Sequence, residues 1–194
     1  MYGLSQTSLA IAMKTTTQRI VTGIIVVCAA GVAILVFRAA FSPCRVQKEA
    51  QIAQGSSMQG IISGGEVVTV YKNYYACKDV GRGDIVAYTY NGSVTPFIRV
   101  VKAVPGDRWS LRAASGRYQI IVNGEPLKNS FDQIYLIDER AKNVLFSSVN
   151  EASILKDTYL ILGNLPFGSV DSTQFGLVLK KDITGKVIVS AGSL

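Results

Sequence analysis

An uncharged apolar run near the amino terminus constrains this chain more than any other feature. Residues 20–37 read IVTGIIVVCAAGVAILVF, bounded by Arg19 and Arg38. At about 1.5 Å per residue, a helix of this length covers roughly 27 Å, close to the hydrocarbon thickness of a bilayer. Its β-branched residues are no obstacle, because lipid offers the backbone no partner outside the helix. A cleaved secretory leader is the competing reading, with Ala39 and Ala40 as small residues near a cleavage region. Against it, the run outlasts an h-region and Arg38 abuts the place where the cut would fall. A buried core helix would seldom be apolar on every face. The run therefore predicts a transmembrane anchor over residues 20–38, preceded by a tail over 1–19. Charge leaves its orientation open, since Lys14 and Arg19 precede it while Arg38, Arg45 and Lys48 follow.

Beyond about Ser42 the pattern changes to short strand-like stretches separated by turn signals. Residues 66–71 (EVVTVY), 84–90 (DIVAYTY), 96–104 (PFIRVVKAV), 118–122 and 158–162 read as strands. Asn91-Gly92 and Asn123-Gly124 are hairpin turns, since both residue types tolerate positive φ. Helical periodicity is weak, with residues 46–54 and 145–155 as the candidates. The reading is a mainly β protein: one transmembrane helix, a linker over 39–54, and an antiparallel sandwich- or barrel-like domain over 55–194.

The chain contains no histidine. That excludes imidazole-based triads and His-ligated zinc, and three cysteines are too few for an all-cysteine zinc site. No metal or organic cofactor is implied. The formal net charge is +7 with a pI near 9.4, but the basic residues are scattered and not interleaved with aromatics. A basic face toward anionic lipid accounts for this better than nucleic acid does, and no nucleic-acid partner is expected. Cys28 lies in the apolar run, where a thiol simply packs. Cys44 and Cys77 fall outside it, and an even pair in an exported domain suggests a disulfide; two unrelated thiols are the alternative.

Four segments carry chemistry when taken together: Gly55-Ser56-Ser57-Met58 before a strand, Gly83-Asp84-Ile85-Val86 entering one, residues 98–107 (IRVVKAVPGD) ending in a tight turn, and the polar loop 163–176 (GNLPFGSVDSTQFG). Their order and spacing resemble the boxes of bacterial signal peptidase I, and more closely those of TraF-type maturation peptidases of conjugative transfer. The resemblance runs from about Gly55 to Gly185 and includes the hairpin Val122-Asn123-Gly124-Glu125. It implies a serine endopeptidase held in the inner or cytoplasmic membrane by a single span, with a cytoplasmic tail and a periplasmic or extracytoplasmic catalytic domain. The implied substrate is an exported precursor or a pilin peptide. Carried over by position, Ser57 is the nucleophile, Met58 lines the site, and the Ser57 amide with Gly55 or Ser56 faces the developing oxyanion. Ser169 matches a serine that hydrogen-bonds the base, and Asp171 an acid that braces the loop. Ile61, Ile62, Val68 and Val70 either face the membrane or cleft, or are ordinary core.

The sequence departs from that pattern at the base. The family's lysine, six residues before the proline of Pro-Gly-Asp, is Arg99 here. A buried lysine can shed its proton, whereas a guanidinium stays protonated in proteins. Lys102 is the alternative base, but strand alternation turns it away from the Arg99 face unless a bulge intervenes. The family's proline after Ser-Met is Gly60, its basic positions near Asp171 are Val100 and Thr173, and the aspartate of the signal-peptidase version is Asn164. Two functions follow: a peptidase with a rearranged base, or a catalytically impaired relative that binds peptides within a secretion or conjugation apparatus.

Overall fold

The structure is a computed structural model describing residues 6–40, 45–147, 153–165 and 168–189. Two compact units divide the chain, Met1–Pro43 and Cys44–Leu194. The first holds helix α1 (Gln6–Ala40). Within it Gln18–Ala39 is apolar enough and long enough to cross a bilayer, and none of that stretch is buried. A helix showing water such a surface on every side is out of place in an aqueous domain.

Among the described residues the second unit is built from eleven strands and two further α-helices. In chain order the strands are β1 (Gln47–Ile52), β2 (Val67–Lys72), β3 (Ile85–Tyr88), β4 (Phe97–Ala103), β5 (Trp109–Ala114), β6 (Arg117–Val122), β7 (Glu125–Pro126), β8 (Leu136–Ile137), β9 (Thr158–Leu162), β10 (Val178–Leu179) and β11 (Ile183–Ile188). The helices are α2 (Glu139–Ser147) and the single turn α3 (Ser172–Phe175). Seven strands form one sheet in the order β1-β2-β11-β3-β4-β9-β10, and β5 to β8 form a smaller one around β6. Every pairing between these strands is antiparallel. The sheets meet through a shared core: Ala103, Leu160 and Leu162 of the large sheet pack with Trp109, Ile120 and Ile137 of the small one, and α2 adds Ala141 and Leu145. Ile62, Val68 and Val70 belong to a second core under β1 to β4, with Ile61 packed against it, and Ile62 also lines the groove that holds Ser57.

Asn123 and Gly124 both take positive φ and join Val122 to Glu125 as a two-residue turn. Ser115-Gly116 does the same between β5 and β6 without an Asn-Gly signature. Two helix readings need correction. In the segment 46–54, Gln47–Ile52 form the edge strand β1, paired with β2 from Gln47↔Lys72 to Ile52↔Val67. The segment's Gln, Lys, Glu and Ala favour helix in isolation, but the backbone groups of β2 give it a partner and tertiary pairing prevails. The linker reading of 39–54 fails with it, because β1 is part of the sheet. Of the helix sought at 145–155, residues 148–152 lie outside the described residues; the described helix runs over Glu139–Ser147, where Asp138 caps it by accepting from the Ala141 N–H at 2.8 Å. Cys77 is disulfide-bonded and Cys28 is free and exposed; Cys44 lies outside the described residues.

Gly185 sits where β11 shifts register against β3, and a Cβ there would lie 2.6 Å from the Tyr71 carbonyl oxygen. Gly185→Ala is therefore expected to cost about 2–4 kcal/mol, a fall in Tm of roughly 5–15 °C for the detergent-solubilised chain. An unchanged Tm would show that the sheet yields at this point.

Candidate active site

The turn carrying Ser57 follows β1 directly. Ala53 N–H donates to the Glu66 carbonyl at 2.8 Å, which ends the strand, and the chain then winds through residues 55–62. Gly55 and Gly60 take φ of +70° and +88°. The value at Gly60 explains the missing family proline, because a pyrrolidine ring fixes φ near −65°. A side chain at Gly60 would also strike the Phe131 ring, 2.2 Å from an added Cβ.

Ser57 is half-buried and Met58 buried. The Ser57 carbonyl accepts from the Asn164 N–H at 2.7 Å and the Leu165 N–H at 3.3 Å. Asn164 is wholly buried and its side chain is fully engaged. Its Nδ2 donates to the Gln59 carbonyl at 2.6 Å and to Ser130 Oγ at 2.7 Å, and its Oδ1 accepts from the Ser130 N–H at 3.0 Å. A loop of the small sheet thus braces the Ser57 turn. Next to it, Gly163 leaves room for Ser169: an added Cβ would fall 2.0 Å from Ser169 Oγ and 3.0 Å from the Ser57 carbonyl oxygen.

Ser169 is 5% exposed, and its Oγ has no hydrogen-bond partner among the described residues. Asp171 is buried and caps α3. It accepts from the Gly163 N–H at 2.9 Å, the Thr173 N–H at 3.0 Å and Thr173 Oγ1 at 2.7 Å. Burial raises its pKa, offset by these donors and by the charge of Arg99. Among the described residues Asp171 forms no salt bridge, in keeping with Val100 and Thr173 at the family's basic positions.

Arg99 and Ser57 line one groove of about 610 Å³, walled by Gln51, residues 53–58 and Ile62 on one side and 93–99 on the other, with Gly168 and Val170. The guanidinium is 6% exposed. Its Nε donates to the Val170 carbonyl at 3.2 Å, which Tyr88 Oη also reaches at 3.1 Å, and its Nη1 donates to the Ile98 carbonyl at 2.6 Å. Its carbon lies 5.6 Å from the centre of the Phe97 ring. Burial pulls its pKa down while Tyr88 and Asp171 pull it up, but a guanidinium remains a cation throughout.

The bulge that Lys102 requires is present: β4 slips against β9 between Val101 and Ala103. It does not bring the amine into the groove. Lys102 Nζ donates to the Lys128 carbonyl at 2.8 Å and lies 5.2 Å from the Tyr135 ring centre, and Lys102 is not among the groove's lining residues. Burial lowers its pKa. The structure therefore assembles Gly55, Ser56, Ser57, Met58 and Arg99 around one groove, with Ser169 and Asp171 packed behind it. Gln51, Tyr88, Ser130 and Tyr135 were not singled out from sequence. Tyr135 Oη donates to the Gly163 carbonyl at 2.5 Å. Gln51, Tyr88 and Tyr135 act through backbone carbonyls far along the chain and Ser130 through the Asn164 side chain, and no local motif marks them.

Asn164→Asp replaces two donated hydrogen bonds with a carboxylate facing the Gln59 carbonyl. It is expected to lower stability by about 2–4 kcal/mol in thermal or urea unfolding. A loss below about 0.5 kcal/mol would show that the Ser57 turn holds without this amide.

The family model described as signal peptidase, peptidase S26, matches residues 18–191. Signal peptidase I P of Bacillus subtilis subsp. natto is 30% identical over 144 residues, covering 71% of this chain and 73% of that protein. The crystal structure of a signal peptidase I from Enterococcus faecalis V583 aligns at 19% identity and a TM-score of 0.41, covering 57% of this chain and 98% of that one.

Proposed function

The chain belongs to the signal peptidase family, peptidase S26, and on that premise we propose that it is a membrane-anchored serine endopeptidase that removes a leader or terminal segment from an exported protein. Members of the family are serine peptidases that cleave signal peptides from exported proteins. The observation that carries the reading is Ser57 lining one groove with Arg99, backed by the loop of Ser169 and Asp171. Helix α1 holds the domain at the inner or cytoplasmic membrane by a single pass, with the groove on the extracytoplasmic side where leaders emerge. Secretory precursors and pilin-type peptides both suit such a groove.

Ser57 Oγ attacks the scissile carbonyl carbon, and the Ser57 amide with Gly55 or Ser56 meets the charge that develops on its oxygen. The serine proton must pass to an uncharged amine, which returns it to the leaving amine; water then releases the acyl group from Ser57. Lys102 is the lysine of β4 available for this role, and it must give up the Lys128 carbonyl to take it. Arg99 contributes fixed positive charge beside the reacting centre.

A second reading is favoured by Arg99 itself: with a guanidinium at the base position and no lysine among the described residues that line the groove, the chain binds peptides and turns them over poorly or not at all. One experiment tests both. The detergent-solubilised chain is incubated with exported precursors as wild type, Ser57→Ala, Lys102→Ala and Arg99→Lys. Ser57→Ala is expected to abolish cleavage, and survival of cleavage there overturns the nucleophile. Arg99→Lys is expected to raise turnover about 100-fold or more, the usual contribution of a placed general base. Its rate should climb with pH through a lysine pKa below the ordinary value of about 10.4, because an ammonium has no lone pair to offer and a neutral amine does. Cleavage by Arg99→Lys but not by wild type supports the second reading, and loss in Lys102→Ala supports the first.

A further inference from the structure

Among the described residues, strand β4 has an open edge within the groove. Val101 N–H donates to the Asp84 carbonyl at 2.9 Å and its own carbonyl accepts from the Gly83 N–H at 2.8 Å, so the odd-numbered peptide groups of β4 turn toward β3. By alternation, the carbonyls of Pro96, Ile98 and Val100 turn the other way. On that side β9 begins to pair only at Val100↔Leu162. The Pro96 and Ile98 carbonyls thus lie on the stretch of edge that β9 leaves free, within the groove that holds Ser57. An extended peptide adding itself to this edge would seek these two acceptors.

Both are already taken from within the chain. Gln51 Nε2 reaches across from β1, on the opposite wall, and donates to the Pro96 carbonyl at 3.0 Å; Arg99 Nη1 donates to the Ile98 carbonyl at 2.6 Å. A carbonyl only accepts, so the amide N–H end of Gln51 is the end that faces it. We propose that Gln51 is a latch across the substrate groove, which an incoming peptide displaces by exchanging its own N–H for the Gln51 amide on the Pro96 carbonyl. This rests on the reading of the groove as a peptide site. Gln51 then sets how tightly extended backbones bind, by competing with the one peptide N–H that would take the Pro96 carbonyl. The same bond keeps the open edge from pairing with other chains while the groove is empty.

The test uses the full-length chain in detergent, carrying Ser57→Ala so that bound peptide is not consumed, and a fluorescein-labelled alanine-rich oligopeptide read by polarisation. Gln51→Met keeps the bulk of the side chain and removes the donor, and is expected to lower Kd about fivefold, the worth of one neutral hydrogen bond. Gln51→Ala is expected to do the same. N-methylation scanned along the peptide should find one position at which that gain vanishes, because such a peptide never competes for the Pro96 carbonyl. A merely structural Gln51 would not produce this dependence on one ligand N–H. An unchanged or higher Kd in both variants, with the peptide still bound, overturns the latch and leaves the groove reading standing. Failure of the peptide to bind in any background overturns both.

Discussion

Asn164 ties the Ser57 turn to the small sheet. Its backbone N–H fixes the Ser57 carbonyl, and its side chain, through Nδ2 and Oδ1, joins Gln59 to Ser130. A buried amide left unpaired would cost more than its bonds return, so a fully satisfied one selects a single arrangement of its partners. The Ser57 turn contains glycines at positive φ and would otherwise have several conformations open to it. Holding its carbonyl from behind turns the serine hydroxyl into a placed group. The adjoining Gly163 completes the fit, because only a residue without a Cβ lets Ser169 and the Ser57 backbone approach so closely.

Arg99 shapes the other side of the groove by what it cannot do. A lysine here would present one compact ammonium that can lose its proton; the guanidinium instead presents a planar fork and keeps its charge. Two arms of the fork are spent on backbone carbonyls, Val170 on the facing loop and Ile98 on its own strand. The carbonyl of Val170 receives a second bond from Tyr88, so the loop bearing Ser169 is clamped to β3 and β4 by two side chains of the large sheet. Ser169 Oγ, buried and without a partner among the described residues, is the residue of this arrangement that looks built for a different neighbour.

The apolar run, the strands of residues 66–71, 96–104 and 158–162 and the Asn123-Gly124 turn were all legible because each depends on local chemistry: hydropathy, alternation, tolerance of positive φ. What escaped depends on partners elsewhere. Strand β1 has the composition of a helix and becomes a strand because β2 offers its edge. Strand β11 carries Thr184, Gly185 and Lys186 in its middle and gains its place from β2 and β3 on either side. The four motif segments were visible, and so was the mismatch at Arg99. Alternation already turned Lys102 away from the Arg99 face; that its amine would meet the Lys128 carbonyl, and that β4 would slip against β9 beside it, was not visible, since a bulge is a property of two strands in register and not of either sequence.

Along β4 these features follow from where its neighbour stops. Strand β9 ends at Leu162 because the chain must turn at Gly163 to bring Asn164 beneath Ser57. That leaves Pro96 to Ile98 without a strand on one side, and the free carbonyls collect side-chain donors in place of backbone ones. A buried open edge is tolerable only if its acceptors are satisfied, and a ligand can reach it only if they can be released. One of those donors is the guanidinium at the base position. A peptide that takes the Ile98 carbonyl must therefore displace an arm of Arg99, so occupation of the edge and the placement of positive charge beside Ser57 are coupled through a single hydrogen bond.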